Sequence, residues 1–199
     1  MAETTTTELV RTHGGRQVPV PGTYTLDRAH SAVEFVARHL MISKVRGRFA
    51  DFDGRIDIAE VPEESSVQVT IQTTSVFTDE ASRDGHLRGA DFFDTEQFPL
   101  IEFRSTRVEP QSSDSWKVQG DLTIRDVTRP VTLTVDFEGA TRTPWGQDRV
   151  GFSAATELDR EDWGLTWNQA LETGGVVVGK KVRVELTVEA VRSDSGDGA

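Results

Sequence analysis

The chain has 199 residues, 36% apolar and 28% charged, a balance that suits one folded domain with a sizeable core rather than a disordered or membrane-embedded chain. Its formal net charge of -11 disfavours nucleic acid as a partner, because phosphate recognition needs a basic face. It contains no cysteine, which excludes disulfides, thiolate chemistry and cysteine-based metal sites. Residues 1–21 are Thr-rich, punctuated by Gly14, Gly15, Pro19 and Pro21, and read as a flexible N-terminal arm. They hold no apolar signal-like core, so a cytoplasmic location is expected. From residue 22 the pattern becomes period two, which places alternate side chains on opposite faces of a strand. Val33, Phe35 and Ala37 alternate with Glu34 and Arg38. Residues 45–59 keep Val45 and Phe49 on one face and change parity around Phe52, as a bulge near Asp51–Gly54 would cause. Val67, Val69 and Ile71 form the next strand. Residues 79–98 break the alternation, carry Phe92, Phe93 and Phe98 in a polar setting, and predict short helical turns.

The alternation then resumes. Ile101 and Phe103 share a face, as do Trp116, Val118, Gly120, Leu122 and Ile124. Val131, Leu133, Val135 and Phe137 follow, then Val150, Phe152, Ala154 and Leu158, then Val182, Val184, Leu186 and Val188. Residues 193–199, SDSGDGA, read as a disordered C-terminal tail. About eight strands, each with one wet face, predict an all-β antiparallel fold, and closing them into a barrel removes exposed edges. A two-sheet sandwich would show the same periodicity. No apolar run approaches a membrane span: the nearest, Val176–Val178, follows Gly174 and Gly175 and precedes Gly179, so no stable membrane insertion is expected.

The inward parity mixes small residues (Ala37, Gly47, Gly120, Ala154, Thr156) with bulky ones, a mixture that fits either an open channel or the taper of a packed barrel. Phe92, Phe93 and Phe98 should face inward, capping the core or lining its mouth. Trp163 and Trp167 would stack on a ligand or seal one end. His30, beside Asp27 and Ser31, and His39 are candidates for a headgroup contact or for structural hydrogen bonds. So is Arg160 in the REDWG turn, with a turn-locking role favoured. Asp84, His86, Arg88, Asp91 and Asp94 read as a solvated helical turn with local ion pairs rather than an acid–base site. No His-x-His or His-x-x-x-His spacing occurs, so no metal site is expected. The sequence carries no Gly-x-Ser-x-Gly elbow, P-loop, Gly-x-Gly-x-x-Gly or His-Glu-x-x-His motif, and the protein is expected not to be an enzyme and to require no cofactor.

Several segments in order resemble the YceI family, the lipocalin-like polyisoprenoid-binding proteins. TYTLDRAHSAVEFVARH and KVRGRFADFDGRIDI carry Tyr24, Leu26, Asp27, His30, Ser31, His39, Gly47, Phe49, Phe52 and Gly54 at the family's opening positions. The likeness continues through RDGHLRGADFFDTEQFPLIEFRST, GDLTIRDVTRPVTL, RVGFSAATELDREDWGL and GKKVRVELTVEAV, covering about residues 22–192. The resemblance implies an extended eight-stranded antiparallel barrel over that range. Its apolar channel would bind and carry or store a long-chain isoprenoid lipid or an isoprenoid quinone. The positions assigned to the channel are Val33, Phe35, Phe49, Phe52, Val69, Ile71, Phe92, Phe93, Phe98, Phe103, Leu122, Leu133, Val135, Phe152, Ala154, Trp163 and Val184. Two other readings stay open: a small quinone-dependent enzyme, and a stress-related scaffold with a filled barrel. A homodimer is also left open.

Overall fold

The computed structural model describes residues 9–112, 115–172 and 174–193. Eight antiparallel strands run in a meander and close on themselves into a barrel. The first three are each broken once. The first consists of β3 and β4, the second of β5 and β6, and the third of β7 and β8, with β1 and β2 lying earlier in the chain. Their ranges are β1 Val10–His13, β2 Arg16–Pro19, β3 Gly22–Leu26, β4 Ala32–His39, β5 Ser43–Phe49, β6 Phe52–Ile58, β7 Ser66–Gln72 and β8 Val76–Phe77. The other five are unbroken: β9 Leu100–Pro110, β10 Ser115–Ile124, β11 Val127–Arg142, β12 Asp148–Asp159 and β13 Val178–Arg192. Closure comes from β13, which pairs β12 along one side and both β3 and β4 on the other.

The breaks in the first three strands replace the expected bulge. Between Phe49 and Phe52 the chain leaves the ladder for two residues: Ala50 N–H donates to Ser75 O, and Asp51 O accepts from Gln72 N–H. Both phenylalanines are therefore buried, although their spacing is odd. The 3-10 turn Thr73–Ser75 interrupts the neighbouring strand at the same level.

The alternating strands put polar side chains on the outer wall. The irregular segments gather at the two ends. At the helical end lie the β4–β5 turn, α1 (Ala81–Arg88) with the loop after it, and the 3-10 turn Arg160–Trp163. Glu80 caps α1, accepting from Ser82 and Arg83 N–H. Asp84 departs from the solvated-turn expectation: it is buried and accepts from both Thr78 N–H and Thr78 Oγ1 (2.8 and 2.6 Å). Arg88 donates to Thr74 and Val76 carbonyls, so this segment is stapled to the barrel rim.

At the opposite, terminal end, the segment expected to be a flexible arm forms a hairpin over its described residues. β1 pairs β2 through a turn at Gly14 and Gly15, whose positive φ angles (57° and 79°) suit a two-residue hairpin loop. Residues 1–8 of the expected arm, and 194–199 of the expected tail, lie outside the described residues. Ser193 is held to the barrel by its N–H on Thr23 O. Among the described residues no helix is long and apolar enough to cross a membrane.

Candidate functional site

The barrel interior contains a cavity of about 260 Å³. Its wall comes from nearly every strand. Thirteen of the positions assigned from sequence line it: Val33, Phe35, Phe49, Phe52, Val69, Ile71, Phe103, Leu122, Leu133, Val135, Phe152, Ala154 and Val184. Along β10 the lining runs from Trp116 through Val118 and Leu122 to Ile124. That stretch measures ~26 Å along the strand, or about 20 Å along the barrel axis once strand tilt is allowed for. The cavity is therefore long and narrow.

Polar character is scarce within it. Ser65, Ser66, Thr156 and Thr187 supply hydroxyls, and Glu34, whose residue is exposed, is the one ionisable residue in the lining. No histidine lines it.

Not every small inward residue leaves space. A Cβ on Gly47 would stand 2.2 Å from the Phe35 ring, so that ring already lies flat over the glycine. Gly120 is covered likewise by Phe103, and a Cβ there would also meet Arg104 O at 2.5 Å. These two glycines let aromatic rings turn sideways against the wall, and so widen the bore indirectly. Ala154 and Thr156 do face the cavity, whereas Ala37 does not.

Four of the assigned positions lie outside the cavity: Phe92, Phe93, Phe98 and Trp163. They close the helical end instead. Phe93 meets Phe49 edge to face (5.5 Å between centroids), and Phe92 packs on Trp167 (5.5 Å), which in turn meets His86 (4.6 Å). Trp163 is buried and donates from Nε1 to Leu122 O at 3.1 Å. Phe98 lies farther out, with the Arg125 guanidinium over its ring. The loop after α1 folds its apolar residues onto the top of the barrel, which satisfies their burial without placing them in the bore.

None of the three polar candidates lines the cavity. Arg160 is buried beneath the helical-end plug, where its guanidinium donates to the carbonyls of Gly179 and Leu165. Burial pulls its pKa below the ordinary value, and the carbonyls satisfy its donors. It locks the turn Arg160–Leu165 to the start of β13. His39 ends β4, opposite Ser43. His30 lies on the outer wall in the bend between β3 and β4, its Nδ1 2.9 Å from Asp27 Oδ2. Arg149 Nη1 donates to Asp27 Oδ2 at 2.6 Å and also to Glu189 Oε1. The His30 hydrogen bond, followed by those from Arg149 and the Ala29 N–H, holds the Asp27 carboxyl below its ordinary pKa despite partial burial.

Ligand atoms of Asp27, His30 and Glu189 come within 4.8 Å of one another, a grouping that spacing along the chain does not reveal. Arg149 already supplies the positive charge between the two carboxylates, so the cluster reads as an ion-pair clamp joining β3, β12 and β13.

Residues absent from the sequence-based assignment complete the wall. Val118, Ile124, Val131, Leu158 and Leu186 share the inward parity of assigned neighbours and were legible on that ground. Val18 and Pro19 were not, because they lie in the terminal hairpin, yet both line the cavity and Val18 is only 3% exposed. The hairpin is tied across that end. Arg11 Nη2 donates to Ala59 and Glu60 carbonyls (2.9 and 2.8 Å), and Arg16 Nε donates to Ser112 O (2.9 Å). The signal that could have found it is Gly14-Gly15 between two short runs of strand-compatible residues.

Sequence and structure comparisons agree with this architecture. A UPF0312 protein of Staphylococcus aureus strain N315 is 40% identical over 169 residues, covering 83% of this chain and 95% of its own length. The corresponding protein of S. aureus strain Mu50 matches to the same extent. Among solved structures, the Campylobacter jejuni YCEI protein superposes with a TM-score of 0.68 at 28% identity, covering 79% of this chain and 90% of its own. Burkholderia cenocepacia BcnA (TM-score 0.73, 21% identity, 82% and 98% coverage) shares the fold. So does a polyisoprenoid binding domain from Saccharophagus degradans (0.66, 17%, 85% and 98%). The YceI-like domain model matches residues 24–190. With its closed eight-stranded barrel and that match along most of its length, the chain belongs to the YceI-like domain family.

Proposed function

We propose that this protein binds and carries a long, linear, apolar lipid, an isoprenoid chain or a quinone bearing one, inside the barrel. The observation that carries the reading is the cavity itself, long, narrow and walled almost wholly by hydrocarbon side chains. A volume of about 260 Å³ spread over that length suits one slender chain. Affinity would come from removing hydrocarbon from water, at about 25 cal/mol per Å² before association costs. The single, exposed carboxylate and the lack of histidine in the wall supply no buried acid–base pair, which favours binding over catalysis. Family membership and the polyisoprenoid binding domain from Saccharophagus degradans support an isoprenoid over other chains.

The test is mass spectrometry of organic extract from natively folded protein purified without detergent. Near-stoichiometric prenyl lipid is expected. Protein that yields no lipid and takes up no added prenyl compound would reject the reading.

A further inference from the structure

The turn joining β4 to β5 has a composition that fold stability does not explain. Ile42 N–H donates to His39 O across a tight turn whose central residues, Leu40 and Met41, have φ of 50° and 61°. That left-handed conformation disfavours residues with a Cβ, and such turns ordinarily carry Asn-Gly. Here the turn is apolar, and its apex is bare: Met41 is 50% exposed and Ile42 83%. Just below the apex, Arg38 and Lys44 face each other directly across the two strands, a like-charge pair that weakens a hairpin in isolation. Neither has a carboxylate partner among the described residues. On the other side of Arg38 the β13 backbone comes close, since a Cβ on Gly179 would lie 3.2 Å from Arg38 Cβ, and Lys180 and Lys181 follow. Those two lysines are exposed and reach Glu161 (2.7 Å) and Asp159 (3.9 Å), while Arg46 and Arg183 share Glu185. Glu172 is exposed on the adjoining turn Leu171–Gly175, which touches the apex: a Cβ on Gly175 would lie 3.7 Å from Met41 Cγ.

We infer that this apex is a membrane-docking tip: Met41 and Ile42 enter the interface of an anionic lipid bilayer while Arg38 and Lys44, which have no carboxylate partner among the described residues, contact the headgroups. An apolar point with a basic collar is the combination that binds such a surface. The rest of the molecule, with a net charge of -11 overall, is repelled from the same surface, which orients the protein tip first. The docking hairpin also walls the cavity, through Val33 and Phe35 on β4 and Phe49 on β5. Docking is independent of what the cavity holds, so an empty barrel docks equally well.

The test is co-sedimentation of the full chain with vesicles of phosphatidylcholine alone or mixed with phosphatidylglycerol, at low and high salt. Binding is expected only to the mixed vesicles and is weakened by salt. Ile42→Asp should reduce it on the order of tenfold or more, and Arg38→Ser and Lys44→Ser by about fivefold each. Glu172→Gln should strengthen it. Met41→Gly separates docking from stability: it should raise the melting temperature by relieving the turn, yet weaken vesicle binding. Trp145→Ser, at the exposed opposite end, should change nothing. No binding to mixed vesicles at low salt overturns the inference, as does equal binding to both kinds or loss of binding in the Trp145 variant alone. Concentration-dependent dimerisation that Ile42→Asp abolishes, without vesicle binding, overturns it in favour of self-association.

Discussion

Ala154 lies opposite Val135 on one neighbouring strand and Leu186 on the other, and its methyl group faces the cavity. Ala154→Trp would therefore extend a ring into open bore rather than into packed atoms. Overfilling a dense core costs about 1–3 kcal/mol. Here the fold should remain nearly as stable while the bound lipid is lost. Ser153 points outward, its Oγ bonded to Glu138. Ser153→Trp should forfeit that hydrogen bond, about 0.5–1.5 kcal/mol, and leave lipid content intact. Melting temperature and extracted lipid, measured on both variants, check the pair; equal lipid loss from both would mean the inner face is misassigned. The clamp around Arg149 gives a second test. Because Asp27 has a depressed folded pKa, the stability it contributes is complete above the ordinary value of 3.8 and is lost as pH falls through the lower folded value. Arg149→Ala leaves two carboxylates adjacent without their cation. It should cost about 1–3 kcal/mol near neutral pH, and the gap from wild type should narrow in denaturant melts below pH 3.8.

At the scale of the element, the terminal hairpin is the part of the structure that composition most misrepresents. Following a Thr-rich run and interrupted by Gly14 and Gly15, it reads as part of an unstructured arm. Its contribution lies in two buried residues, Val18 and Pro19, and in two arginines that reach distant backbone carbonyls. Such contacts leave no periodic trace, since only two short strands are involved and their partners lie some 40 to 100 residues away. Burying a valine contributes about 1.5–3 kcal/mol, enough to hold a lid but not to lock one. Removing residues 1–19 should leave the barrel folded, because the hairpin forms a sheet of its own and Val20 and Pro21 keep their bonds to Tyr24 and Arg192. Dissociation of a fluorescent prenyl probe should accelerate by about tenfold, equivalent to ~1.4 kcal/mol of lost cover. An unchanged off-rate would show that the hairpin is ornamental to the mouth.

For the molecule as a whole, Arg149 and main-chain hydrogen bonds provide the cross-links that a metal or disulfide supplies in other small β proteins. Dialysis against a chelator should therefore shift the melting temperature by no more than about 1–2 °C, and added zinc should not raise it. A larger shift would make Asp27, His30 and Glu189 a metal site after all.

The all-β class, the approximate strands and most of the cavity wall were present in the sequence. The reason is that a strand buried on one face must alternate, and inward parity identifies residues such as Val135, Phe152 and Val184 without any knowledge of their partners. Three matters lay beyond it. Which inward positions are empty depended on neighbours: Phe35 and Phe103 cover the glycines that alternation marks as vacant, while Ala154 stays open. The four aromatics Phe92, Phe93, Phe98 and Trp163 were rightly read as apolar, but only the path of their loops determined that they plug an end rather than line the bore. The grouping of Arg38, Lys44, Lys180 and Lys181 around an apolar apex has no counterpart in any run of the chain. Cross-strand register assembles it from segments about 140 residues apart. Period and composition are local properties and survive in one dimension; vacancy, closure and charge clustering belong to pairs of segments, and exist only once the barrel has closed.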